Sequence, residues 1–475
     1  MSGSSPPSGV RRGEIVAALS MATDLAMGQP VEFALKSCLL GMRLGEALRF
    51  SGEELSEIYF QALLRYIGCN AETYSIVALF GDELSLRRDF ALVDMAKASE
   101  MAAMVLRHLR SASAEAGALD AMFAIAKGFL VAQKASADNI AAHCEVADRL
   151  AERLALGPGV RRNLGQIYER WDGRGLPNRL KGEAIAPAVR VVVFAQDVVV
   201  LGAAHGAARC AELLGARRGR IYDPRIVDRF LGEQDRFLAG LDEASSWDAV
   251  LALEPARREP LSEEAFDEAC LAMADFADLK SPHTVGHSRR VSQLAADAAR
   301  RCGLSASDAA DVRRAGLLHD IGRVGVSGRI WLKPGPLTDS EREQVRLHSY
   351  YGERALSRSP ALARLGSIVA QHHERLDGSG YHRGARLLSP QARILAAADA
   401  YCGKIESRPH RAALSAEGAA DALRREARAG RLDGDAVAAV LAAAGHRGAA
   451  RRTLIGGLTE REIDVLRAVA RGLSM

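Results

Sequence analysis

The chain has little cysteine and no cysteine pattern. Cys38, Cys69, Cys144, Cys210, Cys270, Cys302 and Cys402 are scattered, odd in number, and include no C-x-x-C pair. No disulfide framework or redox motif can be read from them, and reduced thiols in a cytosolic protein are expected. Long hydrophobic runs are missing as well. The most apolar stretch, Val189 to Ala204, is interrupted by Arg190, Gln196 and Asp197, so no membrane span is expected. The opening MSGSSPPSGVRRGE has no apolar segment behind its arginines, hence no secretory leader. One-signed charge is lacking too: the net charge is +4, too mild to argue for nucleic acid. These absences point to a cytoplasmic protein with no membrane partner.

What is present is helix. Hydrophobic residues make up 48% of 475 residues, enough for two or three cores of ordinary size. Ala, Leu and Arg dominate, apolar residues recur at three and four, and strands are hard to find, so the fold class is all-α. Residues 1–12 read as a disordered tail and 13–250 as a first helical domain. Within it, Ser51 and Glu54 predict a capped helix running through ALLRYIGC to about Cys69. The two prolines and charge run of 251–265 mark a linker. Residues 266–446 form a second helical domain, 447–457 a basic linker, and 458–475 a terminal fragment.

The two domains share a pattern. YERWDGRGLP at 168–177 matches HERLDGSGYH at 373–382, ALLRYIGC at 62–69 falls on GLLHDIGR at 316–323, and AVRVVVFAQ at 188–196 on QARILAAAD at 391–399. Two all-α units in tandem are expected, the first carrying an insertion near 70–135. Their chemistry differs. The second unit has His287, His319, Asp320, His348, His372, His373 and Asp399; the first has Phe33, Arg65, Tyr66, His143, Ile167, Tyr168 and Gln196 at the matching positions. One imidazole cannot hold a metal pair, so the first unit is expected to be metal-free, with a structural, sensory or dimerising role.

Seven imidazole and carboxylate side chains without a thiolate suit Fe, Mn or Zn. They exceed one tetrahedral site, so two divalent ions sharing a carboxylate is the economical reading, Fe or Mn before Zn. Such a pair activates water and clamps both oxygens of an in-line displacement at phosphorus. A lone HD dipeptide is weak, but seven donors arriving in order from separate helices are not.

The segments GHSRRV, LLHDIGRVGV, KPGPLT, HSYYG, HHERLDGSGY, AAAD and RPHR, between 286 and 411, resemble the HD-GYP family, metal-dependent phosphohydrolases that cleave cyclic di-GMP. The resemblance covers about residues 262–440. It implies that the seven residues are the metal ligands, with Asp320 bridging. It further implies that Asp320 and Arg323 serve catalysis, and that Arg323, Tyr381, Arg408 and Arg411 approach the phosphates, where guanidinium forks suit the oxygens. Two departures stand out. Arg323 replaces the family's Lys and does not readily donate a proton. His382 replaces the Pro of the GYP signature and removes a backbone restraint.

Residues 458–473, LTEREIDVLRAVARGL, carry a T-x-x-E capping box and resemble the opening helix of LuxR-type helix-turn-helix domains. The chain ends before a recognition helix, so DNA binding is expected only of a longer product. The leading expectation is a metal-dependent phosphodiesterase hydrolysing a cyclic dinucleotide, cyclic di-GMP first, in bacterial signalling. The alternatives are a non-catalytic nucleotide-sensing regulator of LuxR type and an HD phosphohydrolase acting on another phosphoester. A homodimer is compatible with either unit.

Overall fold

The computed structural model describes residues 9–112, 139–241, 246–255 and 259–446. Among them there is no strand, only helices, turns and three isolated bridges. The fold is all-α, as the periodicity predicts. The helix starts follow local chemistry. Ser51 accepts from Glu54 N while Glu54 reaches back to Ser51, opening helix Gly52–Leu64; Thr338 and Glu341 do the same for Asp339–Leu356. Ser262, Ser305 and Ser389 cap Glu263–Asp278, Ala306–Leu318 and Pro390–Ile405.

Each half is built on the same packing. Phe33–Ala47 lies against Gly52–Leu64 and Pro187–His205; His287–Arg301 lies against Ala306–Leu318 and Pro390–Ile405. The close approaches also correspond. A Cβ on Gly68 would overlap the His143 carbonyl, and a Cβ on Gly322 would overlap the His348 carbonyl. Gly175 presses on the backbone of Glu169 and Arg170 as Gly380 presses on Glu374 and Arg375. The Glu169 carboxylate accepts from Asn178 N and Leu180 N at 2.7 and 2.9 Å, and Glu374 accepts from Arg383 N and Ala385 N at 2.6 and 2.9 Å. Buried hydrogen-bonded carboxylates thus hold both Gly-rich loops.

Several expected boundaries shift. Of the tail, residues 1–8 lie outside the described residues, but Val10 is buried, its carbonyl accepts from Leu261 N at 2.8 Å, and Arg12–Ala26 is already a helix. Of the linker, 256–258 lie outside, but Glu254 is buried and accepts from Gly13 N at 2.7 Å, so this segment is fastened to the first helix. The helix expected to reach Cys69 stops at Leu64, and a 3-10 turn, Cys69–Glu72, follows. In the insertion, Thr73–Phe80, Glu83–Phe90 and Ala98–Ala112 enclose a small core of Ile76, Phe80, Leu86, Met104 and Leu109; residues 113–138 lie outside. Residues 447–475, with the second linker and the helix-turn-helix fragment, also lie outside. Helix Pro187–His205 corrects the expectation about spans: it is long and apolar enough to cross a membrane, because Arg190 and Asp197 are too few to break its hydropathy. Here it serves as core, with Val191, Val192, Phe194 and Leu201 fully covered.

The halves share one apolar core. Helix Arg12–Ala26 packs on the 3-10 turn Ile321–Gly325 and on Asp339–Leu356. The insertion adds a polar anchor. Lys280 Nζ reaches Glu83 Oε1 at 2.6 Å and the Val324 carbonyl at 2.9 Å, and Glu83 also accepts from Gly328 N at 2.9 Å. Lys280 and Glu83 are 1% and 0% exposed, so neither can turn to water when the other is lost. Glu83→Ala therefore lowers the unfolding free energy by about 3–5 kcal/mol in urea denaturation; a loss under about 1 kcal/mol contradicts the pairing.

Candidate metal centre

The donors come from separate elements. His287 is the first residue of its helix, entered through Gly286 in the left-handed conformation (φ 75°). His319 and Asp320 follow the end of Ala306–Leu318, His348 lies in the middle of Asp339–Leu356, His372 and His373 follow Pro360–Val369, and Asp399 is on Pro390–Ile405. The structure brings all seven together at the centre of the second half. His348, His372 and His373 form one triad and His287, His319 and Asp320 another, with donor atoms within 4.8 Å inside each. Asp320 faces both: Oδ1 is 3.6 Å from His348 Nε2, and Oδ2 is 3.4 Å from His319 Nε2 and 3.8 Å from His287 Nε2. Asp399 lies opposite, with Oδ1 3.3 Å from His287 Nε2 and Oδ2 3.8 Å from His373 Nδ1.

Three rings are oriented by their own backbone. Nδ1–H donates to the carbonyl three residues back: His319 to Gly316 at 2.9 Å, His348 to Val345 at 2.6 Å, His372 to Val369 at 2.6 Å. In His348 and His372, both lowered by burial, Nε2 is then a lone pair; burial would lower His319 too, but Asp320 raises it, and the three Nε2 atoms converge. His348 Nε2 and His372 Nε2 are 3.2 Å apart, and His319 Nε2 is buried without any hydrogen-bond partner. Facing lone pairs in a dry interior repel unless a cation lies between them. The residues present therefore fit a metal centre.

The charges agree. Burial, then His319 and His348, push His372 down to about 3; burial, then His372, holds His373 well below its usual range. These rings stay neutral. Burial would raise Asp320, but Arg323 and His319 outweigh it and keep the carboxylate ionised. Burial would lower His287, but Asp399 and Glu406 raise it to about 9. Glu406, whose Oε2 is 2.8 Å from His287 Nδ1, was not visible in the sequence; its only signal is that a ligating imidazole needs an acceptor on its other nitrogen.

The four phosphate-side candidates separate. Arg323 Nη1 is 2.9 Å from Asp320 Oδ2, and its guanidinium stacks 3.9 Å over the Trp331 ring, another residue the sequence did not flag. Tyr381 packs 4.7 Å from the His373 ring. Arg408 reaches Glu406 Oε2 at 2.9 Å and the His283 carbonyl. Arg411 departs from expectation. It donates to the Lys404 carbonyl at 3.0 Å and to the Gly403 carbonyl, spending its fork on the end of helix Pro390–Ile405. His382 is tied by its side chain instead: Nε2–H donates to Glu353 Oε2 at 3.0 Å.

The HD domain family matches residues 272–436. The 3'3'-cGAMP-specific phosphodiesterase 3 of Vibrio cholerae is 32% identical over 407 residues, 84% of this chain and 88% of that protein. This chain belongs to the HD-GYP family of phosphodiesterases. A crystal structure of a cyclic GMP-AMP specific phosphodiesterase from V. cholerae superposes with a TM-score of 0.63 at 28% identity, covering 92% of this chain and 98% of that one. A cyclic di-GMP phosphodiesterase of Thermotoga maritima is 38% identical over 143 residues, 29% of this chain and 38% of that protein. Phosphohydrolases with HD domains are metal-dependent.

Metal loading has a proton signature. His287, raised to about 9, holds its proton at neutral pH and must release it to become a ligand; His372, at about 3, has none to release. Calorimetric titration of stripped protein in buffers of different ionisation heat should show proton release at pH 7 and tighter binding as pH rises toward 9. Affinity independent of pH across that interval contradicts the assignment of His287.

Proposed function

We propose that the second half hydrolyses a 3'3'-linked cyclic dinucleotide at a centre of two divalent ions, Fe or Mn before Zn. The ions are held by His287, His319, Asp320, His348, His372, His373 and Asp399. The observation that carries this is the convergence of seven donors from separate elements, with buried lone pairs left facing one another. Bound ions of this kind supply an activated water and Lewis-acid stabilisation at phosphorus.

The chain's own residues do the rest. Asp320, ionised and shared between the triads, balances the positive charge. Arg323, braced on Trp331, is a preorganised cation at the edge of Asp320 and holds a phosphate oxygen as charge spreads in the transition state. It orients and neutralises; its bound proton is not available to the leaving oxygen. Tyr381 stands against the His373 ring, and Arg408, held by Glu406 beside His287, offers a second guanidinium to the phosphates. On substrate, the relative named for 3'3'-cGAMP matches along 84% of the chain, whereas the T. maritima relative named for cyclic di-GMP matches along 29%. That difference puts 3'3'-cGAMP first and cyclic di-GMP second.

We infer further that the halves are copies of one unit, the first without the donors of a dinuclear centre. The paired close approaches of Gly68 and Gly322 and the paired loop carboxylates Glu169 and Glu374 support this.

Metal-loaded protein should linearise 3'3'-cGAMP faster than cyclic di-GMP. His319→Ala and Asp320→Ala should each lose about 100-fold or more in kcat. Nucleotide that binds but stays intact would instead favour a sensor, and equal cleavage of unrelated phosphoesters would favour the broader phosphohydrolase reading.

A further inference from the structure

A second group of donors sits in the first half. Cys69, Glu72 and His143 place ligand atoms within 4.8 Å of one another. Cys69 and Glu72 begin and end one 3-10 turn, where side chains three apart eclipse, so both project to the same side. His143 arrives from the helix described over 139–153, admitted to the turn by Gly68. It is 0% exposed. Its Nε2–H donates to the Arg65 carbonyl at 3.3 Å; burial would lower the ring, but Cys69 and Glu72 raise it to about 10, so Nδ1 gives up a proton to become a ligand. That atom is buried with no hydrogen-bond partner and faces Glu72 Oε1 at 3.5 Å. Met27 brings a thioether sulfur to 3.1 Å from Cys69 Sγ.

We propose that this cluster is a metal site distinct from the dinuclear centre, holding one zinc ion through Cys69 Sγ, His143 Nδ1 and the Glu72 carboxylate, with Met27 Sδ beside it. The donor types are those zinc takes, and a thiolate and a carboxylate together balance a dication. Nδ1, buried without a hydrogen-bond partner and aimed at the Glu72 carboxylate, is an unmet polar group that a cation taking its proton's place satisfies. One imidazole does not serve two ions, but with a thiolate and a carboxylate it serves one. The place suggests a brace. The next residue, Asn70, donates from Nδ2 to the Phe276 carbonyl of the second half at 2.8 Å, and Arg87 donates to the Cys69 carbonyl. An ion here would stiffen the turn through which the first half grips the second.

The two centres differ in one observable: only this one contains a thiolate. Full-length protein, stripped of metal and titrated with Co²⁺ alone until all sites are filled, should develop a thiolate-to-cobalt charge-transfer absorption in the near ultraviolet, with the strength of one thiolate-bound cobalt per chain. The band should persist in Asp320→Ala and vanish in Cys69→Ser. Wild-type protein without the band overturns the proposal whether or not the variants fold, and so does a band of unchanged strength in a helical, folded Cys69→Ser.

Discussion

The second half is organised by an unmet electrostatic need. His348 and His372 point Nε2 at each other across 3.2 Å, each with its Nδ1–H committed to a backbone carbonyl. His319 leaves a third Nε2 buried and unpartnered. Packing alone would not select this, because neutral imidazoles in a dry interior gain by pairing donors with acceptors. A cation among these lone pairs removes the conflict. The surrounding features then follow: carboxylates on both sides, Glu406 behind His287, and Arg323 steadied by an indole face rather than by water.

The first half contributes to that geometry from outside. Helix Arg12–Ala26 packs on the turn after Asp320, and Glu83 and Lys280 hold its far end through Val324 and Gly328. The segment carrying Asp320 and Arg323 is thus clamped between a neighbouring helix and a buried ion pair. The first half is a wall against which the turn carrying Asp320 and Arg323 is set.

Much of this was legible in the chain. The seven donors are readable because imidazole and carboxylate recur along the second half in an order that packing does not require. Capping pairs such as Ser51 and Glu54 carry their geometry in four residues. Contacts between distant segments were not legible. Nothing local in Glu83 says it will meet Lys280, and nothing in Arg411 says its fork will close on Gly403 and Lys404 instead of facing phosphate. Trp331 and Glu406 became visible only once the rings they support had positions. Helix Pro187–His205 was misjudged for a related reason: scattered polar residues lower the hydropathy of a run less than they appear to, and burial, not composition, decided its place.

Anomalous diffraction from crystals of anaerobically prepared full-length protein, collected at the iron and manganese edges, is the most direct measurement of the central claim. The account predicts two strong peaks flanking Asp320, one among His348, His372 and His373 and one among His287, His319 and Asp399. Fully loaded crystals with no peak within bonding reach of these side chains would contradict it.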